Sequence, residues 1–187
     1  YLFVDEIQNI KEFEVSLRSF HTNDECEMVI TGSNAKMLSS ELSTYLSGRC
    51  VEYHIQSLDY REFLTFHRLS DNNQSLHSYL KYGGLPQLHR IGLEETELVD
   101  DYLKSVYHAI VLKDVIEREE IRNVPLLKNL IRFVGDNVGK VFSASSIVKY
   151  LKSQQVDSST RVILNYLEYL CNAYIINRVN RYDIHGK

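Results

Sequence analysis

Tryptophan is absent from the 187 residues while tyrosine occurs thirteen times, an imbalance that by itself excludes no function. Cysteine is scarce: Cys26, Cys50 and Cys171 are widely separated, odd in number and outside any CxxC or Cys/His spacing. That pattern excludes a disulfide-stapled secreted scaffold and a zinc ribbon, and it points to a reducing compartment, with the cytoplasm expected and the thiols serving as small buried hydrophobes. The histidines show no HxxxH-type spacing, so none is proposed as a metal ligand. No apolar run approaches the roughly 20 residues of a membrane span, so no membrane partner is expected.

What is present suits packed cores. Hydrophobic residues make up 44% of the chain, enough for one or two domains. Charge is divided unevenly. Residues 124–187 hold nine Lys/Arg and four acids, a net of +5, which leaves −9 for residues 1–123 out of the chain total of −4. An acidic front and a basic back suggest two modules with different partners, the rear one suited to a polyanion.

The chain opens on Tyr1-Leu2-Phe3-Val4, an apolar run that ends abruptly in Asp5 and Glu6. A buried parallel strand reads as such a run, although the same pattern fits any buried strand leaving a core for solvent. The next run, Met28-Val29-Ile30, follows at the spacing of a β-α-β crossover and ends in Thr31-Gly32-Ser33-Asn34. Between them, Phe13, Leu17 and Phe20 at i, i+4, i+7 predict a helix over 11–24 with a buried stripe, broken at Asn23-Asp24. A further helix is expected over 35–47, closed by Gly48-Arg49, and Val51-Tyr53-Ile55 alternates as a short strand. By spacing alone, Arg49 is a cation complementing a helix C-terminus.

From Ser57 to about Asn123 the pattern is helical. Ser57 or Asp59 with Glu62 reads as a capping box. A helix from Leu76 to Tyr82 stops at Gly83-Gly84, with Pro86 soon after, and both glycines read as a tight turn without chemistry. Residues 94–120 predict a long amphipathic helix through Leu98, Tyr102, Val106, Val111 and Val115. Its charges Lys113-Asp114 and Glu117-Arg118-Glu119-Glu120 read as a solvated face.

Three short helices follow. One is expected from Leu126 to Phe133, a second from Phe142-Ser143, and a third capped by Asp157-Ser158-Ser159-Thr160 that runs to about Cys171. With an extended stretch over 174–183, this order is that of a winged helix-turn-helix. On the third helix Arg161, Asn165, Glu168 and Asn172 share the side opposite Ile163, Leu167 and Leu170. Arg161 and Asn165 could reach base edges, with Ser158 and Ser159 near phosphate and Arg178 and Arg181 on a wing strand. The competing reading is a packing or partner-protein domain, since Glu168 would repel phosphate.

Taken together, the acid-ended strand, the polar-ended strand, Leu46-Ser47-Gly48-Arg49, Leu58-Asp59-Tyr60-Arg61-Glu62-Phe63-Leu64, Tyr82-Gly83-Gly84-Leu85-Pro86 and Arg181-Tyr182-Asp183-Ile184-His185-Gly186-Lys187 carry a resemblance. The chain resembles prokaryotic AAA-type (ASCE-class) P-loop ATPases with a helical lid and a winged helix, often followed by a nuclease-like domain. The resemblance implies a mainly α fold with an α/β remnant. Residues 1–56 would be the C-terminal part of a P-loop ATPase core (Walker B and sensor strands), 57–123 a helical lid, and 124–187 a winged-helix domain with a truncated wing. It also implies ATP and Mg²⁺ as ligands, Asp5 on Mg²⁺ and Glu6 as the catalytic residue that activates water. Thr31, Ser33 or Asn34 would sense the γ-phosphate, and Arg49 would contact phosphates. No GxxxxGK[ST] phosphate loop occurs in the sequence, which opens inside the acid-ended strand. The chain is therefore expected to be the C-terminal part of a longer protein, itself unable to hold ATP·Mg²⁺. The rival reading is a non-catalytic DNA-binding or protein-interaction module that uses the ATPase half as a nucleotide switch.

Overall fold

The computed structural model describes residues 1–22, 26–33 and 51–180. The expected helix over 35–47, its stop at Gly48-Arg49, the break at Asn23-Asp24, and residues Asn34 and Arg181 lie outside the described residues. The chain forms two compact units, Tyr1–Cys50 with Ile110–Lys187, and Val51–Ala109.

At the front of the first unit, strands β1 (Leu2–Val4) and β2 (Met28–Ile30) pair in parallel, with Leu2 opposite Met28, Phe3 opposite Val29 and Val4 opposite Ile30. A parallel pair needs a crossover, and the sequence supplies a 3₁₀ turn at Ile7–Asn9 and helix α1 (Phe13–Thr22). Side chains alternate across the strands, so Val4, Met28 and Ile30 pack on the cluster of Ile7, Phe13 and Leu17 while Phe3 and Val29 face outward. The buried stripe of α1 ends at Leu17. Phe20, expected to complete it, is exposed.

The second unit begins with Val51, Tyr53 and Ile55, which do not form the expected strand. They are 76%, 80% and 90% exposed, and no described strand lies beside them to satisfy a ladder. Helix α2 (Tyr60–His67) starts on the predicted capping box: Glu62 N donates to Asp59 Oδ1 at 2.8 Å, and Asp59 N donates to Glu62 Oε2 at 2.9 Å. Its Phe63 is fully buried against Tyr79 of helix α3 (Asn73–Tyr82), which Asn72 caps. Gly83 closes α3 at φ +75°, whereas Gly84 is glycine because a Cβ there would sit 2.0 Å from the Leu58 carbonyl oxygen. Helices α4 (Leu88–Ile91) and α5 (Thr96–Ala109) complete the unit around Tyr82, Leu88 and Val99.

At Ile110 the helical winding changes, and Ile110–Glu117 is a π-helix in which Arg118 N reaches back to Lys113 O at 3.3 Å. Val111 and Val115 of this segment join Ile121 and helices α6 (Val124–Asp136), α7 (Ala144–Ser153) and α8 (Thr160–Asn172) in the largest core among the described residues. Leu127, Leu130, Ile147, Leu151, Ile163 and Leu170 are fully buried there, each stabilising by about 1.5–3 kcal/mol relative to exposure. Every helix in this group has a side-chain cap. Asn123 accepts from Leu126 N at 3.0 Å, Ser143 forms a reciprocal box with Ser146, and Ser159 accepts from Val162 N at 3.3 Å. Each cap contributes about 1 kcal/mol. Residues 176–180, where a wing strand would start, carry no regular secondary structure.

Candidate functional site

The ends of β1 and β2 converge on one network of polar side chains. Beyond Ile30 the ladder continues one residue, with Thr31 N donating to Val4 O at 2.9 Å and Ile7 N donating to Thr31 O at 3.0 Å. This fixes Thr31 beside the two carboxylates. Its hydroxyl donates to Asp5 Oδ1 and accepts from Glu6 N at 3.2 Å. Glu6 sits in the left-handed region (φ 52°, ψ 52°), the bend by which the chain turns from the strand into the 3₁₀ turn. Its Oε2 accepts from Ser33 Oγ at 3.2 Å and from Gln8 Nε2, which also donates to Ser33 Oγ at 2.9 Å.

Asp5, Glu6, Thr31 and Ser33, singled out from sequence, are thus brought together across the two strands. Gln8 was not anticipated. Its only signal in sequence is an amide two residues past the carboxylates, at the first turn after the strand. Its Oε1 is buried and has no hydrogen-bond partner.

A second pair was read from sequence as solvated surface and is not. Asp114 and Arg118, at i and i+4 on and just past the π-helix, form a half-buried ion pair at 3.1 Å. Burial pushes the Asp114 carboxyl above the usual carboxylate range, the Glu6 charge adds to that rise, and Arg118 opposes it. Arg118 Nη1 is buried without a partner, a donor still lacking its acceptor.

The oxygen-rich set fits a hard cation. Asp5 is exposed, and with one carboxylate oxygen taken by Thr31 its other oxygen remains for metal. No group of three or more His, Cys, Asp or Glu able to hold a metal occurs among the described residues. Magnesium here would complete its shell with water and phosphate oxygens, as it does in nucleotide sites.

On α8, Ser159, Arg161 and Asn165 are exposed, together with Leu164 and Glu168, while Ser158 is half-buried and the Ser159 hydroxyl is engaged as a cap. Arg178 is exposed beyond the helix. The second unit has an open pocket of about 450 Å³ lined by Phe66, Pro86, Gln87, His89 and Arg90. His67 lies 5.5 Å from His89 by ring centroids, and its imidazole is pushed below the ordinary histidine range by burial and by the His89 charge.

Residues 73–186 match the family model of a domain of unknown function (DUF8612), more than half of the chain. The chain belongs to the DUF8612 family. Residues 1–64 match an AAA domain, which relates the strands bearing Asp5, Glu6, Thr31 and Ser33 to AAA-type P-loop ATPases. An uncharacterized protein of Haemophilus influenzae is 37% identical over 193 residues, covering all of this chain and 47% of the relative. An uncharacterized protein of Methanocaldococcus jannaschii is 30% identical over 199 residues, covering all of this chain and 44% of the relative. The chain spans about half the length of the curated relatives it matches. No solved structure matches it. Among the described residues no helix is long and apolar enough to cross a membrane.

Proposed function

We propose that in the full-length protein the ends of β1 and β2 form the hydrolytic half of an ATPase site. The observation carrying this reading is the hydrogen-bonded pairing of Asp5 with Thr31 and of Glu6 with Ser33, on a segment that matches an AAA domain. Asp5 would hold Mg²⁺, which when bound neutralises phosphate charge. Thr31 orients the Asp5 carboxylate, and Thr31, Ser33 or Asn34 would sense the γ-phosphate. Arg49, which follows the sensor segment in sequence, would contact phosphates. Glu6 Oε2 is already saturated by Gln8 and Ser33, so Oε1 is the oxygen left to take a proton from water. The water oxygen bonds to the γ-phosphorus as the bond to the β–γ bridging oxygen breaks. That electron pair leaves on ADP, and the water proton goes to Glu6.

The test is substitution in the full-length protein. Glu6→Gln leaves ATP binding intact and slows hydrolysis by about 10²-fold or more, the scale of losing a positioned base. Asp5→Asn weakens Mg²⁺-dependent binding instead. An unchanged hydrolysis rate in the Glu6 variant would reduce the carboxylate pair to a strand exit.

A second reading concerns the output. Residues 57–123 would serve as a helical lid, and 124–187 as a winged helix that meets DNA or a partner protein. Exposed Arg161 and Asn165 on one face of α8, in a segment of net +5, favour DNA, with Ser158, Ser159, Arg178 and Arg181 toward phosphate. If this module is the whole output, the ATPase half acts as a nucleotide switch.

A further inference from the structure

We propose that Gln8 orients the water that Glu6 deprotonates, an assignment that rests on the ATPase reading above. Gln8 lies in the 3₁₀ turn directly after the carboxylates, and its amide faces two partners at once. Nε2 donates to Glu6 Oε2 and to Ser33 Oγ at 2.9 Å. These two bonds fix which way the amide points. Rotating it by half a turn would set Oε1 against the Glu6 carboxylate, oxygen against anion, and would lose both donors. The amide oxygen is therefore held away from Oε2, and it is buried with no partner.

A buried acceptor without a donor is costly unless something fills it. A water admitted between Glu6 Oε1 and Gln8 Oε1 when nucleotide binding opens this buried spot would meet two acceptors and give one proton to each. Its lone pair is then left free to face a phosphorus atom. Only the proton on Glu6 Oε1 is transferred; the proton toward Gln8 stays on the oxygen that becomes bonded to phosphorus. The same arrangement assigns Ser33 a role in setting the amide, since its hydroxyl accepts from Gln8 and donates to Glu6.

The experiment uses the full-length protein, the single variants Glu6→Gln, Gln8→Ala and Gln8→Asn, and the Glu6→Gln/Gln8→Ala double variant, with ATP turnover, calorimetric ATP·Mg²⁺ binding and thermal midpoint measured on each. Gln8→Ala is expected to lower kcat by about 10- to 100-fold, the scale of a misoriented reactant, while KM, ATP affinity and the thermal midpoint stay near those of the parent. Gln8→Asn, one methylene shorter, keeps the amide but cannot span Glu6 and Ser33, so it shows the same split and guards against a folding defect in the alanine variant. In the Glu6→Gln background, adding Gln8→Ala costs little more, because both residues act on one water. If Glu6→Gln slows turnover but both Gln8 variants keep kcat within about twofold, the assignment to Gln8 is wrong and the ATPase reading stands. Equal loss of ATP affinity and of kcat/KM would also overturn it, making Gln8 a nucleotide-holding residue. If Glu6→Gln has no effect, both fall together.

Discussion

Thr31, at the end of one strand, donates its hydroxyl to the carboxylate of Asp5 at the end of the other. The bond engages one Asp5 oxygen and leaves the second open, so if Asp5 holds Mg²⁺ as proposed, Thr31 positions it for the metal. Thr31→Val removes the hydroxyl at nearly constant volume and is expected to weaken Mg²⁺-dependent nucleotide binding by about 10- to 100-fold, the usual effect of losing a support of a metal ligand. Thr31→Ser should keep most of it. Titration of the full-length protein with Mg²⁺ at fixed ATP reads the difference, and equal affinity in both variants would separate Thr31 from the metal.

DNA binding by the rear segment, if it occurs as proposed, would have a signature in salt. If Arg178 and Arg181 meet phosphates, log K falls with log salt by about 0.9 per neutralised phosphate, and replacing both by Ala lowers the slope by up to about 2 with sequence preference unchanged. Arg161→Ala or Asn165→Ala instead blunts preference, if base edges are read. Fluorescence anisotropy of the full-length protein on duplex DNA at several salt concentrations separates the two effects. Binding indifferent to all four substitutions would leave this segment as a packing or partner-docking module.

The adjacent glycines at the end of α3 should respond differently to alanine. Gly83 has open space around an added Cβ and resists only through its positive φ, so Gly83→Ala costs about 1 kcal/mol. At Gly84 the added carbon meets the Leu58 backbone, whose N donates to Gly84 O at 2.8 Å, so Gly84→Ala forces that strap outward. About 1–3 kcal/mol is expected, the scale of overpacking. Chemical denaturation of both variants decides, and a larger loss at Gly83 would contradict this account.

Acid should weaken the second unit through His67. Its folded pKa lies below the unfolded value because burial disfavours the cation and the His89 charge repels it. The unfolded chain therefore binds the extra proton first. The stability from neutral His67 is present above the ordinary histidine pKa of about 6.5 and is lost as pH falls through the lowered folded value. His67→Gln removes that titration, so its thermal midpoint between pH 7.5 and 5 falls less than the parent's. Parallel decline in the two proteins would place the acid sensitivity elsewhere.

The polar strand ends were legible because a parallel strand is an uninterrupted apolar run, and the first polar residues after it must lie at the sheet's edge. Asp5, Glu6, Thr31 and Ser33 follow from that rule alone. The capping box at Asp59 and the caps at Ser143 and Ser159 were equally local, since a cap bonds within three residues. Readings that needed a neighbour were less secure. Val51-Tyr53-Ile55 alternates as a strand should, yet alternation makes a strand only where another strand can pair. Asp114 and Arg118 look like any charged helix face until the π-helix segment packs into the core through Val111 and Val115. Gln8 was hidden for the same reason, as its partners Glu6 and Ser33 come from two different strand ends.

If Glu6 is the base proposed above, its left-handed backbone sets durability against chemistry at a single position. A non-glycine residue there holds about 1–3 kcal/mol of conformational strain, and the side chains that best relieve it, glycine above all and then asparagine, have no carboxylate with which to accept a proton, while aspartate would carry one on a shorter arm. Substitutions that favour a sturdier fold would therefore tend to remove that carboxylate. If Glu6 holds that role, selection for its chemistry opposes that pull, and lineages released from it should show asparagine or glycine at this bend.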